Sequence, residues 1–126
     1  RKALLGEDVR FDIIPSAVFS EPEAAMVGLT AAECDRRGII YATARANYAS
    51  NGKALADGVA SGCVKLLYDP TTGLILGAQV LGEHASDLVA ECAALMFGGI
   101  DIHALATRLI HAHPTLSELL PAAVTD

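Results

Sequence analysis

Several features that mark common protein classes are missing from this sequence. It contains no tryptophan, aromatic residues make up only 5%, and 52% of the chain is hydrophobic. Ala, Val, Leu and Ile must therefore fill the core, which suits helices packed closely on a sheet. No Gly-x-Gly-x-x-Gly turn occurs, so no segment is built to hold a dinucleotide pyrophosphate at a helix N-terminus. The sequence predicts no cofactor-binding residue on this chain.

Positive charge and long apolar runs are also scarce. Nine Lys and Arg residues against 15 Asp and Glu residues give a net charge of -6. This balance argues against the basic stripe that binds a phosphate backbone. No apolar run approaches the roughly 20 residues that span a bilayer. We therefore expect a soluble protein without a nucleic-acid or membrane partner.

Paired cysteines are absent as well. Cys34, Cys63 and Cys92 are widely spaced, and an odd number without a Cys-x-x-Cys pair does not make a disulfide framework. We expect three buried free thiols in a reducing, cytoplasmic protein.

The first two thirds of the chain predict mainly strands. Residues 13–19 favour an edge strand because Pro15 interrupts them, and strands are also predicted over 39–48, 63–68 and 74–81. The last two are joined by Asp-Pro-Thr-Thr-Gly at 69–73, a sequence typical of a hairpin loop. One short helix is predicted over 31–37, with a Thr30/Glu33 capping box and Gly38 as its stop.

The remaining third predicts helices. An apolar stripe at helical spacing indicates a helix from Ala85 to Gly98, followed by a shorter one over 102–110 and a last one from Thr115 that contains Pro121. The predicted fold class is α+β, an antiparallel β-sheet meander with helices packed against it. At 126 residues the chain fits one domain, with 1–11 as a preceding tail or linker and 12–126 as the domain.

The most informative segment is 111–118, which reads His-Ala-His-Pro-Thr-Leu-Ser-Glu. His113 stands directly before Pro114, and Glu118 follows five positions later. Imidazole titrates near neutrality, and a carboxylate fixes its tautomer and stabilises its charged form. Glu118 also fits a capping box with Thr115. His111 and His113 could alternatively bind a metal, but no thiolate or carboxylate at a helpful spacing completes such a site.

This octapeptide resembles the C-terminal signature of the pyridine nucleotide-disulfide oxidoreductases, and most closely that of their dihydrolipoamide dehydrogenase branch. Further segments resemble the family's dimerisation domain in the same order: 14–30, from Ile-Pro-Ser-Ala-Val to Val-Gly-Leu-Thr; 51–55, Asn-Gly-Lys-Ala-Leu; 62–66, Gly-Cys-Val-Lys-Leu; and 75–78, Ile-Leu-Gly-Ala, followed by Gly82. The resemblance covers about residues 12–124. The family's flavin and nicotinamide domains and its redox cysteines are missing, and the chain begins at Arg1, as expected of an excised segment.

The resemblance implies a homodimeric enzyme that passes electrons from a lipoamide-type dithiol through a disulfide and FAD to NAD. His113 would be the acid/base, Glu118 its partner and Pro114 a cis residue, with Thr115 and His111 in support. The imidazole would serve the flavin and disulfide of the other subunit. A 2-oxo acid dehydrogenase complex is the implied partner, and the chain alone would be inactive and bind neither FAD nor NAD.

Three alternatives remain at this point. The domain could be a purely structural dimerisation module, in which the octapeptide is only a corner. The parent enzyme could act on glutathione, another small disulfide or mercuric ion. Mercuric ion is disfavoured because the final residues contain no cysteine pair. A small metal-binding domain is the third.

Overall fold

A computed structural model describes residues 10–125. In this part of the chain, five strands form one antiparallel sheet: β1 (Ser16–Val18), β2 (Ala24–Gly28), β3 (Ala42–Asn47), β4 (Cys63–Tyr68) and β5 (Ile75–Leu81). Their spatial order is β1-β2-β5-β4-β3. The predicted meander is confirmed for β3-β4-β5, whereas the β1-β2 hairpin pairs with the other edge of β5.

Within residues 10–125, five helices accompany the sheet: α1 (Ala31–Arg37), α2 (Gly52–Ala56), α3 (Ala85–Gly98), α4 (Ile102–Thr107) and α5 (Leu119–Thr125). The largest helix, α3, packs on β2 and β5, and α5 packs on β3 and β4. Because side chains alternate along a strand, one sheet face supplies the core. Core residues that are almost fully buried include Val27, Val64, Leu66, Ala78, Val89, Leu119 and Leu120. The predicted α+β class is confirmed.

The best-marked local predictions are confirmed in detail. In α1 the Thr30 N–H donates to Glu33 Oε2 at 2.8 Å, and Gly38 ends the helix in the left-handed conformation. In the loop 69–73, Gly73 adopts φ 74°, and Asp69 Oδ1 accepts from the Thr71 N–H at 2.7 Å. The apolar stripe of α3 is buried as predicted.

Some boundaries differ from the predicted ones. Strand β3 begins at Ala42 rather than residue 39, because the Ile39 N–H bonds the Cys34 carbonyl at the end of α1. Helix α4 ends at Thr107, so Ile110 is 94% exposed instead of lying on a helical stripe. Helix α2 was not predicted, although Asn51 at its N-cap is a typical start signal.

The C-terminal helix is divided. A 3-10 turn over Leu116–Glu118 leads directly into α5. Pro121 therefore falls in the first α-helical turn, where backbone N–H groups have no intrahelical partner. This position explains how the helix accommodates a proline. The helix continues beyond Pro121 to Thr125.

The expectation of three buried thiols is wrong for one of them. Cys34 and Cys92 are buried, but Cys63 is exposed. Cys63 begins β4 on the sheet face opposite the core, where its neighbours include Lys65 and Arg45. Burial raises the pKa of the Cys92 thiol to about 12 and also raises that of Cys34.

The junction of β2 and β5 requires a very close backbone approach. The Leu29 N–H donates to the Leu76 carbonyl at 2.9 Å. A Cβ placed on the neighbouring Gly77 would overlap the backbone of Leu29. A residue without a side chain is therefore needed here.

Within residues 10–125, no helix is both long and apolar enough to cross a membrane. The predicted tail at 1–11 lies outside the described residues except for Arg10 and Phe11.

Candidate functional site

The segment 111–118, here called the histidine corner, connects α4 to α5. The peptide bond between His113 and Pro114 is cis. The His113 side chain is 79% exposed, whereas that of Glu118 is only 30% exposed. The corner thus presents an imidazole to solvent from a backbone that is fixed by the carboxylate beside it.

Glu118 uses its two oxygens for different tasks. Oε2 accepts from the Thr115 backbone N–H at 2.8 Å, which completes the predicted capping box. Oε1 lies 2.9 Å from His113 Nδ1. The two interpretations of Glu118 from sequence, a helix cap and a partner of histidine, are therefore compatible.

This geometry determines which nitrogen of His113 is available. An ionised carboxylate can only accept hydrogen bonds, so the proton of the neutral imidazole resides on Nδ1 and is donated to Glu118. Nε2 then carries the lone pair at the exposed end of the ring. The arrangement has the geometry of a general base that is oriented by a neighbouring carboxylate.

The other sequence-predicted residues support the corner from within. The Thr115 hydroxyl donates to the Ala112 carbonyl at 2.8 Å. His111 does not face solvent: its side chain is 10% exposed, and Nε2 lies 2.6 Å from Glu91 Oε1 on α3. His111 and His113 therefore contact different carboxylates. The contact between His111 and Glu91 holds the start of the corner against α3.

Sequence reasoning did not connect two residues, Glu91 and Asn51, with the corner, although both contact it. Asn51 Nδ2 donates to the Thr115 carbonyl at 3.0 Å. Its position at a helix start was the only local signal, and nothing in the sequence connects either residue to 111–118.

A groove of about 260 Å³ lies in front of the imidazole. Its lining residues are Ser50, Asn51, Gly52, His113, Glu118, Leu119 and Ala122. One side of His113 therefore faces a recess that can admit a small group, while the rest of the ring remains open to solvent.

Helix N-termini are the usual positions for binding an anion, and the described ones are already bonded by side chains of this chain. The N-terminus of α1 is bonded by its own Glu33, that of α2 by Asn51 and that of α4 by Asp101. At α3, the Ser86 N–H donates to Glu23 Oε2 at 2.7 Å. These donors are therefore unavailable to a pyrophosphate, and within residues 10–125 no three His, Cys, Asp or Glu side chains cluster as metal ligands.

The Glu118 hydrogen bonds predict a specific acid sensitivity. The Thr115 N–H, and secondarily His113, lower the pKa of Glu118 below its ordinary value of 4.5. A carboxyl with a lowered folded-state pKa contributes stability above pH 4.5, and this contribution is lost as the pH falls through the folded value. We expect Glu118→Gln, which can keep the cap, to show a smaller stability loss below pH 4.5 in urea titrations.

Glu33 offers a matched control for this prediction. It forms the same capping box in α1, and its pKa is also lowered, mainly by the Thr30 backbone N–H. Glu33→Gln should flatten the acid-side loss in the same way. An acid profile of Glu118→Gln identical to that of the unchanged chain would show that the Thr115 bond does not hold the carboxylate in solution.

Comparison with known proteins places this geometry in a family. Residues 14–124 match the family described as pyridine nucleotide-disulphide oxidoreductase, dimerisation domain. The chain is 40% identical over 120 residues to the dihydrolipoyl dehydrogenase of Bacillus subtilis, covering 94% of this chain and 25% of that protein. It is 38% identical over 123 residues to the Haloferax volcanii enzyme of the same name, covering 96% and 26%.

Two solved structures share the fold of this chain. LpdA from Mycobacterium tuberculosis superposes with a TM-score of 0.86 at 26% identity, over 98% of this chain and 28% of that one. The HOCl-induced flavoprotein disulfide reductase RclA from Escherichia coli gives 0.86 at 26%, over 99% and 29%. The chain spans about a quarter of the length of the curated relatives it matches. The sequence match, the fold and these relatives together establish that this chain belongs to the pyridine nucleotide-disulphide oxidoreductases, as their dimerisation domain.

Proposed function

We propose that this domain supplies the proton carrier of a flavin-dependent dihydrolipoyl dehydrogenase, with His113 as the acid/base and Glu118 as its partner. The observation that carries the proposal is the 2.9 Å contact between His113 Nδ1 and Glu118 Oε1 beneath an imidazole whose other nitrogen is open to solvent. The names of the relatives support dihydrolipoamide as the dithiol. The overall reaction oxidises this dithiol and reduces NAD.

The role of His113 follows from thiol chemistry. A thiol with a pKa near 8.5 is mostly protonated at neutral pH, and only its thiolate attacks a disulfide. His113 Nε2 takes the thiol proton, and the thiolate sulfur forms a bond to one sulfur of the enzyme disulfide while the other sulfur leaves as a thiolate. The imidazolium then stabilises negative charge on sulfur, and Glu118 stabilises the imidazolium.

The disulfide, FAD and NAD sites belong, in this proposal, to the parts of the relatives that this chain does not span. FAD supplies the electron acceptor between the dithiol and NAD. We further propose that residues 12–126 form the dimerisation domain of a cytoplasmic homodimer, that 1–11 lead into it, and that part of α3 meets the second subunit. His113 then serves the disulfide of the partner subunit, and a 2-oxo acid dehydrogenase complex supplies the lipoamide.

A reductive function is the second candidate, because RclA, which superposes on this chain with a TM-score of 0.86, is described as a disulfide reductase. In that direction His113 gives its proton to the departing thiolate. Assaying the intact enzyme with dihydrolipoamide and NAD, and separately with oxidised glutathione and a reduced nicotinamide, distinguishes the two candidates.

Mixed dimers test the proposed arrangement across subunits. One inactive subunit carries His113→Gln, and the other lacks the redox cysteines of the intact enzyme. In a mixed dimer, the histidine of the second subunit meets the disulfide of the first, so one complete site forms. Random association should restore about a quarter of the unaltered activity, because about half of the dimers are mixed and each has one site of two.

The control is the same mixture prepared without exchange of subunits, which should remain inactive. If the exchanged mixture has no dithiol oxidation although mass spectrometry detects mixed dimers, His113 and the disulfide belong to one subunit and the arrangement across the dimer is wrong.

A further inference from the structure

A single side-chain amide connects the histidine corner to the start of α2, 64 positions away in the sequence. Asn51 is the buried polar residue of the described chain, with 7% of its surface exposed. It follows the 3-10 turn Tyr48–Ser50 and is the N-cap of α2. A buried amide needs hydrogen-bond partners for both its oxygen and its nitrogen. The partners that Asn51 contacts therefore indicate which segments it holds together.

The two ends of this amide bond different segments. Oδ1 accepts from the Ala54 backbone N–H at 2.9 Å, which caps α2. Nδ2 donates to the Thr115 carbonyl at 3.0 Å, across 64 positions of sequence. A cap requires only the oxygen. The choice of an amide over serine or aspartate is therefore explained by the bond to Thr115.

Thr115 is consequently held on both sides of its backbone. Its N–H is bonded by Glu118 Oε2 and its carbonyl by Asn51. The remaining Glu118 oxygen contacts His113. Displacing Thr115 would move the carboxylate that orients the imidazole, so Asn51 can act on His113 without touching it.

The turn that precedes Asn51 is fixed by burial and hydrogen bonds. Tyr48 is fully buried, and its hydroxyl donates to the Glu83 carbonyl at 2.7 Å. The Asn51 N–H in turn donates to the Tyr48 carbonyl at 2.9 Å. The buried Tyr48 ring and these hydrogen bonds therefore hold the Asn51 amide in place, and a supporting contact of this kind positions a functional group more precisely than a loop alone.

We propose that Asn51 is a positioning residue for the His113–Glu118 pair, acting through the Thr115 carbonyl. This inference rests on the proposed function, since it assigns Asn51 a part in the same proton transfer. Asn51 also lines the groove in front of His113, so the test must separate positioning from direct contact with substrate.

Two substitutions keep the cap and remove the bridge. In Asn51→Ser the hydroxyl can cap α2 but is too short to reach Thr115, and in Asn51→Asp the second oxygen faces the Thr115 carbonyl without a proton to donate. In the intact enzyme both should lower kcat and kcat/KM by the same factor, about 10- to 100-fold. Both should also speed amide hydrogen exchange in 111–118, measured by mass spectrometry.

Thr30→Ala is the matched control. It removes the side-chain cap of α1, which lies outside the groove, so it should lower thermal stability without changing kcat or exchange in 111–118. If Asn51→Ser raises KM and leaves kcat unchanged, Asn51 contacts substrate directly and the positioning role is wrong. Unaltered exchange and unaltered kcat in both Asn51 variants would equally overturn it.

The failures of the two proposals are distinguishable by adding His113→Gln. If that variant is inactive while both Asn51 variants behave as the unaltered enzyme, only the positioning role fails. If His113→Gln retains full turnover, the proposed function fails, and the catalytic part of the Asn51 assignment fails with it.

Discussion

His113→Gln should lower the turnover of dithiol oxidation by the intact enzyme about 10²- to 10⁴-fold, the range typical of a lost general acid/base. Glutamine approximates the length of the imidazole but cannot accept the thiol proton, so the thiolate fraction of the substrate is no longer raised locally. The deficit should shrink as the pH approaches the thiol pKa, because more substrate then ionises without help. Steady-state rates across pH 6–9 with dihydrolipoamide would measure both effects.

His103→Gln is the appropriate control for this result. His103 is exposed on α4 and lies outside the histidine corner, so its replacement should leave turnover unchanged. Equal rates for His113→Gln and the unaltered enzyme at neutral pH would remove His113 from the mechanism. The octapeptide would then be a structural corner of a dimerisation module.

Gly77→Ala is expected to destabilise the domain by about 3 kcal/mol or more, the upper part of the range for overpacked sites. The added Cβ would meet backbone atoms of Leu29 rather than a flexible side chain. Relief requires β2 and β5 to separate, and the Leu29 N–H bond to the Leu76 carbonyl would weaken with them. Urea unfolding followed by circular dichroism measures the loss.

Gly52→Ala provides the comparison, because a Cβ there would find no atom within 4 Å. Gly52 begins α2, where alanine has the better helix propensity, so stability should stay equal or rise by up to about 1 kcal/mol. If the two variants have the same free energy of unfolding, the close approach of β2 and β5 is not a constraint in solution.

Sequence patterns predicted the elements whose determinants are local. The Thr30/Glu33 box, Gly38 and the stripe of α3 each act within a few positions, so α1 and α3 appear at the predicted boundaries. The turn of Asp69 to Gly73 predicted β4 and β5 for the same reason. Helix α4 was predicted too long, because Leu109 and Ile110 continue its period but remain exposed.

Long-range pairing was beyond what these patterns could predict. Nothing local states that β2 lies beside β5 instead of β3, or that Cys63 faces away from the core. The candidate site shows the same division. His113 and Glu118 are five positions apart and could be paired from sequence, whereas Glu91 and Asn51 reach the corner only through the packing of α3 and α2.

The strand order also implies a sequence of events during synthesis. Strands β3, β4 and β5 pair in chain order, whereas β2 pairs with β5, which follows it by more than 40 positions, and the hydrogen bond from Asn51 to Thr115 spans 64 positions. Closing a long loop costs entropy before its contacts form, so we expect strands that are neighbours in the sequence to pair before these long-range contacts do. A ribosome must therefore release nearly the whole domain before the imidazole is held in place. Until then, the corner lacks the Asn51 hydrogen bond that holds the Thr115 carbonyl in the folded domain.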